Sequence, residues 1–482
     1  MLASHIAGYV PANVVPAAFS FLSIYIFTRL VSPEEYGAYA LVLSVTLLCQ
    51  ALFYYWLQVG AMRFTALARK EGHLEQLVST TYRLFFGSSM LFAGCYALAV
   101  LFVPALHLAK SAIWLGVPLV IARSLTAINQ SFNRSELRVL RYNLVECGQS
   151  ALGLAFGLAL VVRFNLAARG MLLGLIASSV VVGAPGLVAV GRSILRRGEA
   201  EQARILLRFG LPLTLSYAMN YVLSTSDRLL VAWFLGPAAV GVYSVSYNTM
   251  DRALTSVFLA VSLASFPLAV SRLEREGVEA ARRQIYSNGT ALVALTLPAC
   301  VGLIMLNGPL SAALIGAPFR AQAREIMPWI AASSLLAGFQ VHFFDHAFHL
   351  GKRTTLCAWS LGPAVIVKVV MNVVLLPRVG LMGAVYATIG GYVASLLGSI
   401  LVGRRVFRMD FPFLPTLRVL AATAAMALAL SLSAERALSG FPGLVVLLAV
   451  GGATYAIASL VFDVAGIRGL LARRLYPDGV VR

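Results

Sequence analysis

Apolar runs of roughly 20 residues follow one another along this chain, separated only by short polar connectors, and that rhythm leaves few choices of fold. A helix of that length crosses about 30 Å of hydrocarbon. Fourteen such runs are read, near residues 5–30, 36–60, 77–102, 111–132, 142–163, 170–191, 208–234, 240–270, 285–307, 325–350, 355–376, 380–403, 417–433 and 443–465. Composition agrees: of 482 residues 60% are hydrophobic and 12% charged, with a mean hydropathy of +0.84, well above that of a soluble domain. The expectation is an all-α integral membrane protein with about fourteen transmembrane helices and almost no chain left for a soluble domain. The first run, from about His5 to Phe27, has no Lys or Arg ahead of it and no small-residue cleavage site, so it is read as a retained span.

A net charge of +19 in a soluble chain would suggest nucleic acid, but here the basic residues sit in connectors, where charge reports orientation. Counting alternate connectors, twenty-five Lys and Arg fall on one side and eight on the other. The rich set includes Arg63, Arg69, Lys70, Arg134, Arg138, Arg141, Arg192, Arg196, Arg197, Lys352, Arg353 and the tail cations Arg473, Arg474 and Arg482. The poor set is Arg29, Lys110, Arg163, Arg169, Arg320, Arg324, Arg378 and Arg436. Positive residues stay inside, so the rich side is cytoplasmic, and an even span count places both termini there. The five cysteines lie in or at the ends of apolar runs without CxxC pairing and are read as small apolar fillers.

Two short segments echo each other. "SPEEYGAY" at Ser32–Tyr39 and "GPAAVGVY" at Gly236–Tyr243 share a small residue, a proline, a glycine and a tyrosine at matching places, offset by 204 residues. An offset of six spans implies parallel duplicated halves with the last two spans added. The layout expected is a six-helix lobe at 1–195, a cytoplasmic linker at 196–209, a second six-helix lobe at 210–403, and helices 13 and 14 with a cytoplasmic tail at 404–482. The connector "SILRRGEAEQARILLRFG" reads either as a basic amphipathic helix lying on the leaflet or as an ordinary solvated link.

Ionisable groups inside spans are costly unless they face a partner or a wet cavity, so each marks a candidate site. Five basic residues remain once the connectors are counted: Arg83, Arg123, Arg228, Arg252 and Lys368. Against Glu146, Asp227, Asp251 and Asp345 they leave the interior cationic. Arg123, Arg252 and Lys368 lie deepest, whereas Arg83 and Arg228 lie nearer span ends, where they can snorkel. Pairing between helices is the plain alternative for "SDRLL" and "NTMDR". An Arg-rich cavity suits an anion, because guanidinium meets phosphate oxygens with paired, charge-assisted hydrogen bonds. Asn129, Gln130, Gln149, Asn220, Asn248, Gln340, Asn372, Tyr217, Tyr221 and Tyr247 can bond hydroxyl-rich groups or hold helices together.

The stretch "VHFFDHAFHL" gathers three of the six histidines with Asp345. On a regular helix His342, His346 and His349 share one broad face. Zinc, proton coupling through His342, His346, Asp345 and Asp251, a head-group contact, and a polar helix end are all compatible with that spacing. The metallopeptidase pattern H-E-x-x-H fails because Phe343 stands where the glutamate belongs. "GKRTT" lacks the upstream glycine of a P-loop, so no ATP site of that kind is expected. The reading carries no cofactor, no metal and no catalytic residue.

"TRLVSPEEYGAYAL", "SDRLLVAWFLGPAAVGVYSVSY" and "LGKRTTLCAWSLGPAVIVKVVMNVVLLPRVGLMGAVYAT" together resemble the polysaccharide (O-antigen and exopolysaccharide) flippases of the Wzx type. These belong to the multidrug/oligosaccharidyl-lipid/polysaccharide exporter superfamily, and the resemblance covers essentially the whole chain. It implies a bacterial inner-membrane protein that moves undecaprenyl-diphosphate-linked oligosaccharide to the outer leaflet by alternating access between two six-helix lobes. Partners implied are membrane lipids, a polysaccharide polymerase and glycosyltransferases, with no nucleic acid. The histidine cluster has no place in the family pattern. A cation-coupled drug or metabolite antiporter would keep the fold but rely on acidic cavity groups, and a membrane glycan polymerase would need a longer outer connector than any present here.

Overall fold

The structure, a computed structural model, describes residues 8–102, 109–194, 199–353, 355–434 and 440–469. The first residues of the first expected span, Arg196 and Arg197 of the linker, Arg436, and the tail cations Arg473, Arg474 and Arg482 lie outside the described residues. All regular elements among the described residues are helical.

In chain order the main helices are α1 (Pro11–Leu30), α2 (Pro33–Lys70), α3 (Leu74–Phe102), α4 (Gly116–Ser135), α5 (Val139–Phe164), α6 (Ala167–Ile194), α7 (Ala200–Leu235) and α8 (Pro237–Glu276). There follow α9 (Val278–Met305), the short α10 (Asn307–Leu314), α11 (Ala317–Leu350), α12 (Thr355–Val379), α13 (Leu381–Gly403), α14 (Phe413–Ala434) and α15 (Phe441–Val461). Thirteen of the described helices are long and apolar enough to cross a membrane. The seventh expected span forms α7, 36 residues long, but it carries Tyr217, Asn220, Tyr221, Asp227 and Arg228 and is not among the thirteen. The α2 and α8 helices run 38 and 40 residues, at 1.5 Å per residue nearly twice the thickness of the hydrocarbon.

Local sequence explains the helix starts. Ser32 caps α2, its hydroxyl accepting from the Glu35 N–H at 3.3 Å, and Pro33 fills the first helical position, where no N–H is needed. Glu34 and Glu35 then sit against the positive end of the helix dipole. The Glu35 carboxylate reaches across to accept from the Ala168 N–H in the first turn of α6, at 3.2 Å. Helix ends repeat in kind: left-handed residues close α4 at Leu137 and α11 at Lys352, and α5 at Asn165 and α12 at Gly380, each pair six spans apart.

Packing gathers the chain into two compact units, one of Met1–Val245 with Val365–Ala387 and the other of Ser246–Ala364 with Thr388–Arg482. Within the first, the twin segments found in sequence meet. A Cβ on Gly37 would lie 1.7 Å from the Pro237 carbonyl oxygen, and one on Gly241 would lie 2.1 Å from that of Pro33. Only glycine admits that reciprocal approach. Nearby, α5 and α6 pack through Gly153, Gly157, Gly170 and Gly174, and a Cβ on Gly174 would lie 2.4 Å from the Gly157 nitrogen. Small residues four apart bring membrane helices close enough for backbone contact.

The second unit centres on Phe258, Ile285, Leu292, Phe343 and Ala347. Its α11 departs from the regular helix assumed for the histidine stretch. Residues Gln340–Phe344 form one turn of π-helix, closed by the Asp345 N–H donating to the Gln340 carbonyl at 2.8 Å. One extra residue widens that turn, and His342, His346 and His349 still meet one stripe of α8 at Ser262 and Phe266.

Candidate functional site

In the first unit a polar centre forms where α7 passes α8 and α12. Asp227 and Arg228, adjacent in sequence, point about 100° apart and find different partners. Asp227 Oδ2 lies 2.6 Å from Lys368 Nζ, and both side chains are buried. The Tyr243 hydroxyl donates to the same carboxylate at 2.9 Å, and Asn372 Nδ2 donates to its other oxygen at 2.9 Å. Lys368 also donates to the Leu223 carbonyl, and Asn372 to the Lys368 carbonyl at 3.0 Å. Read from sequence as a surplus cation, Lys368 has its charge taken up by Asp227.

Arg228, buried to 8% exposure, donates from Nε to Ser244 Oγ at 3.2 Å. Both Arg228 and the half-buried Arg123 of α4 lie within electrostatic range of the Tyr221 hydroxyl. The structure therefore brings together two of the five expected cations around one tyrosine. Tyr221 leads to Tyr217, ring centroids 6.4 Å apart, and Tyr217 stacks on Tyr55 at 3.9 Å and 5°. Tyr55 was not among the expected residues; its signal was the aromatic run "FYYW" in an otherwise aliphatic span. The result is a row of aromatic faces ending at a cationic pair.

Arg83 on α3 and Arg252 on α8 are exposed, and Arg252 belongs to the second unit. Glu146, counted among the interior acids, accepts from Gln130 Nε2 at 3.0 Å, and Asn133 joins the same chain of amides at 2.9 Å.

The residues expected to couple ions fall in the second unit. Asp345 is buried, with Ser399 Oγ donating to one oxygen at 2.6 Å and Gln340 Nε2 to the other at 3.1 Å. Asp251 accepts from Ser334 Oγ at 3.0 Å. His342 Nδ1 lies 3.0 Å from Ser262 Oγ and its ring stacks on Phe258, while His346 packs on Phe266 at 4.1 Å. Among the described residues no three His, Cys, Asp or Glu side chains are arranged to hold a metal ion. The serines that fix these groups, Ser262, Ser334 and Ser399, carried no signal in the sequence.

The profile of the family described as polysaccharide biosynthesis protein matches residues 26–323. A Haloferax volcanii protein named "Probable low-salt glycan biosynthesis flippase" is 25% identical over 231 residues, 48% of either chain. The chain spans about half the length of the curated relatives it matches. Among solved structures, the lipid II flippase MurJ in an inward-closed conformation superimposes with a TM-score of 0.76 at 13% identity, covering 95% of this chain and 98% of that one. An inward-facing multidrug resistance MATE family transporter of the MOP superfamily gives 0.64 at 15% identity, covering 83% and 98%. Identities that low establish a shared fold. With more than half its length inside the family profile, this multi-pass membrane chain belongs to the polysaccharide biosynthesis protein family and has the fold of the multidrug/oligosaccharidyl-lipid/polysaccharide exporters.

Proposed function

We propose that this protein translocates a lipid-linked glycan, an undecaprenyl-diphosphate-linked oligosaccharide, from the cytoplasmic to the outer leaflet of a bacterial inner membrane. The glycan would serve surface polysaccharide synthesis, and a polymerase and glycosyltransferases would be its working partners. Transport proceeds by alternating access, with residues 1–195 and 210–403 as the two six-helix lobes and both termini cytoplasmic. The observation that carries this reading is the arginine pair Arg123 and Arg228 around Tyr221, in a chain of this family. Two guanidinium groups can take a diphosphate through paired hydrogen bonds, and the faces of Tyr217 and Tyr55 offer stacking surfaces for sugar rings beyond it. Arg83, Arg252 and Lys368 complete the cation set, Lys368 exchanging Asp227 for the cargo as the protein changes state.

Deleting the gene is expected to accumulate a diphosphate-linked oligosaccharide on the inner leaflet, which disappears on complementation. The double variant Arg123→Ala/Arg228→Ala, inserted at normal levels, is expected to reduce surface glycan at least tenfold, the loss that follows from removing two charge-assisted contacts. Normal surface glycan in that variant would refute the arginine assignment. A second reading, an ion-coupled drug or metabolite antiporter working through Asp345, His342, His346 and Asp251, draws support from the buried carboxylate of Asp345 and the MATE-like fold. It predicts altered drug sensitivity on deletion with no lipid accumulating.

A further inference from the structure

At the arginine-rich end of the first unit lies a cleft of about 520 Å³ that none of the five expected cations lines. Five consecutive helices contribute to it through Arg69, Tyr82, Asn129, Asn133, Arg141 and Gly186. The turn joining α4 to α5 adds Glu136 and Arg138. That turn is a Schellman motif: the Arg138 N–H donates to the Asn133 carbonyl at 2.9 Å and the Leu137 N–H to the Arg134 carbonyl at 3.1 Å. The left-handed position, where glycine is usual, is held by Leu137 with φ of 55°. A bulky residue there marks a turn whose geometry is imposed by its surroundings.

The charges inside are arranged unevenly. Glu136, its side chain only 10% exposed, is clamped by two guanidinium groups, Arg69 on one oxygen and Arg138 Nε on the other at 2.6 Å. Arg141, within electrostatic range of the Tyr82 hydroxyl, has no ion-pair partner among the described residues. Deeper in, Tyr82 donates to Asn129 Oδ1, and Asn129 Nδ2 donates to the Gly183 carbonyl at 3.2 Å. The Glu136 carboxylate held between two arginines, in a cleft that Arg141 and a second carboxylate, Glu75, also line, matches the geometry in which arginines grip a phosphate.

The lining also holds the apolar Leu144, Val145 and Val182. Leu144 is 64% exposed, and Leu140, one turn earlier on α5, is 73% exposed. An arginine-lined pocket that opens beside an exposed leucine stripe fits an amphiphile, its anion in the pocket and its chain along the stripe. A soluble anion has no use for the stripe. The charge bias assigns this end to the cytoplasmic leaflet, where anionic lipids concentrate.

We infer that this cleft binds the phosphate head group of a membrane lipid, with the Glu136 carboxylate as the internal competitor for Arg69 and Arg138. Neither the cargo nor the arginine pair at Tyr221 enters the inference. The phosphate can come from bulk anionic phospholipid or from a polyprenyl phosphate.

The test is native mass spectrometry of the full-length protein in neutral detergent, counting adducts with phosphatidylglycerol, undecaprenyl phosphate and, as a chain without phosphate, dioleoylglycerol. Phosphate lipids are expected to bind and dioleoylglycerol not. Arg141→Gln is expected to weaken binding roughly tenfold. Glu136→Gln, which frees two arginines of their competitor, is expected to tighten it severalfold, a gain that a misfolded variant cannot produce. Equal binding of both phosphate lipids supports a general head-group site; binding of undecaprenyl phosphate alone supports the same site with a polyprenyl source. The inference is overturned if dioleoylglycerol binds as well, if inorganic phosphate competes at the concentration of the lipid, or if Glu136→Gln leaves binding unchanged or weaker.

Discussion

Asp227 and Lys368 illustrate what single residues decide in this protein. Sequence flags both as expensive in a membrane. Nothing in their spacing says that they meet, because α7 and α12 lie far apart along the chain and only packing brings them to 2.6 Å. A buried ion pair gains little over a well-packed apolar pair, but breaking one leaves an uncompensated charge. Lys368→Met alone is therefore expected to cost about 3–5 kcal/mol, while Asp227→Asn with Lys368→Met recovers most of it. Thermal unfolding of the purified variants in detergent measures both, and a single variant as stable as wild type would mean that the pair is not closed in the resting protein. Backbone strain gives a second measurable effect. Lys352 is exposed and left-handed at φ of 54°, so Lys352→Gly is expected to raise stability by about 0.5–1 kcal/mol, the penalty for a Cβ there less the extra chain entropy of glycine.

At the scale of elements, the helices follow from pattern and their contacts do not. The prolines and glycines of "SPEEYGAY" and "GPAAVGVY" suggested a repeat, and Pro33 and Pro237 do open α2 and α8. That the two glycines would face one another was not legible, since a glycine's role as a contact is invisible until its neighbour is known. Gly241→Val is expected to destabilise by about 2 kcal/mol or more, because its Cβ has nowhere to go against Pro33. Gly87→Ala, with nothing within 4 Å of its Cβ, is the control and is expected to be neutral or slightly stabilising, as helix propensity dictates. A differential scan of the two separates steric clash from any general sensitivity to substitution. The π turn at Gln340–Phe344 is the element that pattern alone does not announce. A histidine every three or four residues looks like one face on a 3.6-residue helix, and despite the inserted residue His342 meets Ser262 while His346 and His349 meet Phe266, one turn further along the same helix.

For the whole molecule, charge bias yields a topology that can be checked directly. In a variant lacking the five native cysteines, a cysteine at Glu34 or Ala238, both exposed, is expected to react from outside intact cells with an impermeant thiol reagent. Failure at both positions would invert the map. The all-helical membrane fold was readable from the chain, because the length of an apolar run and the cost of unsatisfied backbone in lipid admit few alternatives, whereas the family was read only from the resemblance of segments such as "TRLVSPEEYGAYAL". So was the list of costly residues, since desolvation penalises a charge wherever it falls in a span. Partnership was not: Lys368 is neutralised, Arg123 and Arg228 converge on Tyr221, and Arg69, Arg138 and Arg141, which in sequence report only orientation, line a cleft. Sequence by itself determined which groups the membrane makes expensive. Only the tertiary structure decided which of them are satisfied by one another, because hydrogen bonds and ion pairs depend on distances of about 3 Å between helices that the chain separates by many residues.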